Sequence, residues 1–311
     1  MTYTGELISL GVAFSWTVAA LSSEIGSKHL GVAVMNVWRM GLALLLSCVL
    51  MWWVFGLPYP VYAGSAAWLW LLASGVVGYF FGDWCLFNSY LTIGSRYGQL
   101  FMTLAPMFTA VAAWAMIGQT LSATALLAMG VTLLGIAISV LGRGADHHLS
   151  LGLPPKGILY GIGAAVGQGV GLVLSKIGVD CYVADVPAAV LPSVSGILPF
   201  ASNMIRCVAG LACFSLWLMA SGKTAVLRSS VADRRGLLAM MVAVVTGPFV
   251  GVGFSLMAVQ HTAAGIASTI MATTPIIILL PSWWLFRQPV TLRGVVGALI
   301  SVVGVSLFFL L

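Results

Sequence analysis

The chain reads as an all-α polytopic membrane protein of ten transmembrane helices, built as two inverted five-helix repeats, and three observations predict this. Of its 311 residues 61% are hydrophobic, with only 13 Lys or Arg and 7 Asp or Glu, too few charges to cover a soluble domain. The apolar residues gather into runs long enough to cross a bilayer at about 20 residues each. At an offset of 169 residues Gly78 falls on Gly247, Gly82 on Gly251, Pro106 on Pro275, Gln119 on Gln288 and Gly135 on Gly304, so one unit is present twice. With five spans in each copy, the second copy begins on the side where the first ends and is turned over relative to it.

The spans are expected at 6–23, 31–54, 67–91, 97–117 and 122–141 in the first copy, and at 157–178, 199–220, 237–259, 265–285 and 292–311 in the second. The first run starts without a Lys or Arg before it, so it reads as a retained helix and not as a cleaved leader. The second run ends before the neutral segment 56–66, and the third and fourth are separated by Arg96. The fifth leads into a basic connection, which sets the repeats at 1–143 and 157–311 with a cytoplasmic linker at 144–156. The sixth and seventh are separated by a longer stretch in which Val186 to Pro199 holds three prolines, an external lid or a re-entrant connection. Four basic residues precede the eighth, and Arg287 and Arg293 bracket the turn between the last two.

Charge fixes the expected orientation. Lys28, Arg96, Arg143, Lys156, Lys223, Arg228, Arg234, Arg235, Arg287 and Arg293 all fall in odd-numbered loops, and the even loops and tails have none. Under the positive-inside rule the odd loops are cytoplasmic and both termini lie on the non-cytoplasmic side of a cell (inner) membrane. The basic residues are scattered over short loops, which excludes a nucleic-acid surface. Five cysteines without a C-x-x-C pair read as packing residues, all but Cys181 inside predicted helices. No H-E-x-x-H, G-x-S-x-G or P-loop pattern occurs, the glycines at 167, 169 and 171 lie in an apolar span, and His147 and His148 sit in a loop. No catalytic residue, metal or cofactor is therefore expected.

Five ionisable residues remain within the spans or at their ends: Glu24, Arg39, Asp83, Lys176 and Arg206. Each costs about 2.5 to 3.5 kcal/mol at a helix centre, so each should face a partner or a watered cavity. Asp83 is the deepest, and Val252 holds its equivalent place, so the fold does not require an acid there. It reads as a group that exchanges a proton or holds a substrate amine; the plainer reading is a structural ion pair with an arginine of helix 2 or 7. Asn88 lies on the same helix about a turn and a half further on. Glu24 and Lys176 correspond at an offset of 152 with opposite charge and read as gate or vestibule charges at opposite mouths, or as side chains snorkelling to the nearer interface.

Asn36 and Arg39 recur as Asn203 and Arg206, each pair spaced to share one helix face, with Glu24 as the expected partner of Arg39. They suit anion or carbonyl contacts at the mouths of a pathway, or a structural role against backbone carbonyls. Trp16 and its equivalent Gln168 sit in mid-helix, where a ring and an amide facing one another would make a stacking and hydrogen-bonding site, with Tyr79 adding a polar contact. The alternative for Trp16 is lipid or core packing. Paired glycines at 78 and 82, 157 and 161, and 247 and 251 permit close helix approach, and Pro106, Pro248 and Pro275 supply places to bend.

These residues resemble the ten-helix EamA-type members of the drug/metabolite transporter superfamily, over both halves of the chain. Trp16, Lys176, Arg39, Arg206, Pro106, Pro275, Gly135 and Gly304 match the places of that family's Trp, Lys, Arg, Pro and Gly. The chain departs from it in having Gln119 and Gln288 at the turn acid, Glu24 in place of the first Lys and Gln168 in place of the second Trp. The resemblance implies carriage of amino acids, sugars, nucleotide sugars or drugs, often by proton coupling or exchange. It also implies cytoplasmic termini, against the charge count, and the charge count is kept. The expectation is a secondary transporter of a small polar or amphipathic metabolite, working by alternating access as a monomer or homodimer, with a small-molecule substrate and the lipid bilayer as its partners. A multidrug exporter of the same fold is the first rival, and an intramembrane enzyme or receptor the second.

Overall fold

The computed structural model describes residues 3–119, 122–143, 149–251, 254–255, 258, 270–287 and 290–310. Among these residues the regular structure is helical apart from one small ladder. Helix α1 (Thr4–Leu30) and α2 (Val32–Phe55) meet at Gly31, whose φ of 76° is a backbone state that glycine alone adopts freely and that stops the first helix. Then follow α3 (Ser65–Ser74), a π-helical segment (Gly75–Asp83), α4 (Trp84–Met102), α5 (Ala105–Ile117) and α6 (Ala123–Val140). Strands β1 (Leu141–Arg143) and β2 (Leu149–Leu151) pair antiparallel at the join. The second half runs through α7 (Pro155–Asp185), α8 (Leu191–Val194), α9 (Leu198–Ala220), α10 (Thr224–Ser229) and α11 (Arg234–Val244) into a second π-helical segment (Val245–Gly251). Beyond it are α12 (Thr274–Ile277), α13 (Leu279–Phe286) and α14 (Leu292–Leu310).

Among the described residues five helices are long and apolar enough to cross a membrane: Thr4–Leu30, Val32–Phe55, Ser65–Met102, Pro155–Asp185 and Leu198–Ala220. Four shorter apolar helices accompany them. Leu292, Trp284, Trp53 and Leu280 are each at least 70% exposed, which suits a surface facing lipid and not water. The protein is a multi-pass membrane protein.

Several expected boundaries move. The third and fourth spans do part where expected: inside the gap at 92–96 the chain breaks at Gly94, whose φ of 82° and ψ of 157° are non-helical. The first helix runs on to Leu30, which puts Lys28 inside it, and the sixth to Asp185, which puts Cys181 inside a helix and not in a loop. Pro106 and Pro275 do not interrupt helices: each stands in the first turn of a new one, after turns at 103–104 and 272–273. Proline is tolerated there because that position has no helical hydrogen bond to lose. The stretch after α7 is no free lid, since Val186, Val194 and Leu198 are buried in one core with Met51, Leu71 and Tyr182. Val252, Gln288, His147 and His148, and parts of the expected spans 237–259 and 265–285, lie outside the described residues.

Packing follows the repeat. Helix α1 packs on α11 as α7 packs on α3, α5 packs on α7 as α12 packs on α1, and α2 with α9 and α6 with α14 meet as equivalent pairs. The registers run antiparallel. Ser301 donates to the Thr132 carbonyl and Ser139 to that of Gly294, so the numbering rises in α6 as it falls in α14. Met51 shares a core with Leu198 and Ile205, while Met35 and Met40 share another with Cys207 and Leu218, so α2 and α9 also run in opposite senses.

The glycine pairs set a close contact between the halves. A Cβ on Gly167 would stand 2.6 Å from the Gly82 Cα, and one on Gly171 2.8 Å from the Gly78 Cα, so any side chain there would push α7 off the first π-helical segment. Wide π turns are rare and gather at functional sites. Here they occupy equivalent depths in both halves, and Pro248 lies inside the second.

Candidate functional site

A cavity of about 630 Å³ opens where the two halves meet. Trp16 enters it from α1, Arg39 from α2, Asp83 from the end of the first π-helical segment, and Gln168 from α7. Phe87, Tyr90, Met102 and Leu172 supply apolar wall, and Pro106, Pro248 and Pro275 line it too. An apolar cleft with a few convergent polar groups is the common form of a small-molecule site.

Asp83 is the centre of the polar part. It is 4% exposed and takes hydrogen bonds at both oxygens. Oδ2 is ion-paired with Nη2 of Arg39, and Oδ1 accepts from Nε2 of Gln168 at 2.9 Å. Nε2 of Gln168 also reaches the Gly78 carbonyl at 3.3 Å, tying α7 to the π-helical segment. Arg39 is held from behind, where its Nε donates to Asn36 Oδ1 at 3.2 Å and its guanidinium lies 4.9 Å from the centre of the Phe87 ring. Asn36 in turn donates to the Val32 carbonyl. The ion pair is neutral as a unit, but a buried pair with one partner removed leaves a costly lone charge.

The expected residues divide. Asp83, Trp16, Gln168 and Arg39 converge on the cavity, whereas Tyr79 and Asn88 are not among its lining residues. The Tyr79 hydroxyl donates to Asn203 Oδ1, and its ring lies 4.3 Å from the Arg206 guanidinium. Asn88 donates to the Trp84 carbonyl on its own helix at 2.7 Å. The expected pairing of Arg39 with Glu24 is corrected: Glu24 is 1% exposed, binds Lys28 on its own helix, and accepts from the Ser95 backbone N–H at 2.7 Å. It fastens the break at Gly94 and is no open vestibule charge. Lys176 pairs with Asp180 at 2.8 Å, both well exposed.

Sequence reasoning missed Phe87, Tyr90, Gln99 and Thr274. The signal for the first two was present, since residues four and seven places beyond Asp83 share its helix face. Gln99 comes to Tyr90, with a hydrogen bond of 2.7 Å, only because the chain bends at Gly94 between them.

At the end of α1 away from the cavity centre, His29 Nδ1 lies 3.0 Å from Asp233 Oδ2. Asp233 also caps α11 by accepting from the Gly236 N–H at 2.9 Å. That backbone N–H, and after it His29, holds the Asp233 carboxyl below its ordinary range.

Known proteins bear on this arrangement in three ways. A solved crystal structure of a protein shares 15% identity with the chain, covering 100% of it and 98% of its own length at a TM-score of 0.57, a likeness that speaks for the fold alone. No match was found among curated proteins. The model of the EamA-like transporter family matches residues 3–141 and again 155–310. That family is one of transporters, which points away from an enzyme, and its doubled match over two antiparallel, mutually packed halves leads to one conclusion: the chain belongs to the EamA-like transporter family.

Proposed function

We propose that this protein is a secondary transporter of a small polar or amphipathic metabolite, such as an amino acid. In this reading ten spans form two inverted five-helix repeats that expose the shared cavity to each side of the membrane in turn. The observation that carries it is the meeting of Trp16 and Asp83 from the first half with Gln168 from the second at one cavity of about 630 Å³. The cavity's position between antiparallel halves supports access by rocking, and the two π-helical segments and the helix starts at Pro106 and Pro275 are the places to bend. In the same reading both termini lie on the non-cytoplasmic side of the cell (inner) membrane, an orientation that the loop charges support.

Asp83 takes the coupling role. A proton passed from water to its carboxylate makes it neutral and releases Arg39, so protonation and the charge of the cavity change together. The other role, holding a substrate amine, requires that amine to replace the Arg39 guanidinium already in place. A metabolite screen by thermal shift on detergent-solubilised protein, followed by flux of each hit into liposomes under a pH gradient, tests this reading. Wild-type flux is expected to follow the gradient, and Asp83→Asn to lose at least about tenfold of it, the effect of about 1.4 kcal/mol at the barrier. Full, pH-insensitive flux in that variant removes Asp83 from coupling, and binding without flux in the wild type removes transport.

A second reading, a multidrug exporter, is favoured by Met102, Met271, Phe87 and Trp16 in the cavity wall, since thioethers and rings adapt to varied apolar ligands. Competition of metabolite flux by hydrophobic cations separates the two.

A further inference from the structure

We infer that the cavity takes an organic anion, and that Arg206 sets the positive sign of its interior. This rests on the proposed transport site and deepens it by naming the charge class of the ligand. The chain has seven Asp and Glu side chains. Glu24 is taken by Lys28, Asp83 by Arg39, Asp180 by Lys176 and Asp233 by His29. Asp185 accepts from the Gly64 backbone N–H, Glu6 lies in the first turn of α1, and Asp146 is outside the described residues. Arg206, in the first half of α9, therefore has no carboxylate within ion-pair distance among the described residues. Its Nε is buried without an acceptor, and its contact is with the face of Tyr79.

Its place matters more than its isolation. Arg206 Nη2 lies against Gly78, whose carbonyl receives the Gln168 amide, and that same amide reaches Asp83 in the cavity wall. Arg206 thus stands directly behind the wall. Two arginines and one aspartate surround this part of the interior, and their sum is one positive charge. A field of that sign in a low-dielectric enclosure favours an anion over a neutral or cationic ligand of equal shape. The lining agrees. Both Asp83 oxygens are already engaged, whereas among the described residues Arg39 bonds through Nη2 and Nε, which leaves Nη1 as a charged donor for a carboxylate, and Trp16 and Phe87 flank the space with apolar rings. Protonation of Asp83 would release Arg39 fully and add to the pull.

Four probes with one phenyl ring test this: phenylacetate, phenylacetamide, phenethylamine and phenylalanine, each measured for binding by thermal shift and for flux into liposomes. Phenylacetate is expected to bind best. Arg206→Gln is expected to weaken phenylacetate about tenfold, the effect of a unit charge across about 10 Å of partly screened interior, and to move phenylacetamide less than about twofold. Arg206→Lys, which keeps the charge, is expected to keep phenylacetate binding. If Arg206→Gln does not fold, the wild-type ranking decides alone. Equal or tighter binding of phenethylamine or phenylalanine, a ranking unchanged in a folded Arg206→Gln, or no shift with any probe overturns the inference. Flux of phenethylamine without phenylacetate would sink the anion and leave transport standing, and bound phenylacetate that never crosses would do the reverse.

Discussion

The two ends of the molecule carry the same short phrase with the charges exchanged. Ser23-Glu24-Ile25-Gly26-Ser27-Lys28 closes α1, and Ser175-Lys176-Ile177-Gly178-Val179-Asp180 lies toward the end of α7. Each holds an ion pair four residues apart, and the resemblance stops there. Glu24 is 1% exposed and adds a second partner, the Ser95 N–H beside the break in α4, so one carboxylate joins two helices. Lys176 and Asp180 are 53% and 63% exposed and, among the described residues, form an ion pair with each other alone. Lys28 further rests on the Phe286 ring at 4.2 Å, bringing α13 to the same knot. The difference teaches that an ion pair acquires structural weight from what else its buried member holds, since an isolated pair in water is worth about 0 to 1 kcal/mol.

Substitutions at the two ends test that contrast. Glu24→Ala leaves Ser95 N–H without its acceptor and Lys28 without its counter-ion, and is expected to cost about 1.5 to 3 kcal/mol, read as a lower thermal midpoint in detergent. Lys176→Ala should cost no more than about 0.5 kcal/mol. Equal losses at the two positions would erase the distinction. The smallest effect concerns acid. Because the Asp233 carboxyl is held below its ordinary range, its bonds to Gly236 and His29 are fully present above that range and are lost as the pH falls through the lowered value. Hydrogen exchange at the start of α11 is expected to quicken on such acidification in the wild type and to show no such step in Asp233→Asn.

Much of this was legible in the sequence. The offset of 169 found the doubled fold because glycines and prolines mark backbone places that packing does not let drift. The depth of Asp83, and the matched places of Trp16 and Gln168, located the cavity. The partner of Arg39 was misread for a traceable reason: with the first helix expected to end at 23, Lys28 fell in a loop and Glu24 was left free to be assigned elsewhere. Once α1 runs to Gly31, the pairing of Glu24 with Lys28 is local and Arg39 goes to Asp83. The bend that brings Gln99 to Tyr90 depends on one glycine among many. The wide turns at Gly75–Asp83 and Val245–Gly251 have no signature in composition that separates them from ordinary helix.

Those two wide turns bear on how independent the central acid is of the backbone that holds it. They recur in both halves, while the carboxylate at the end of the first has valine as its counterpart in the sequence. The broadened coil therefore does not require an acid at that place. A carboxylate stands in only one copy of a segment that both copies possess, so the charge at the centre and the scaffold around it are separable features.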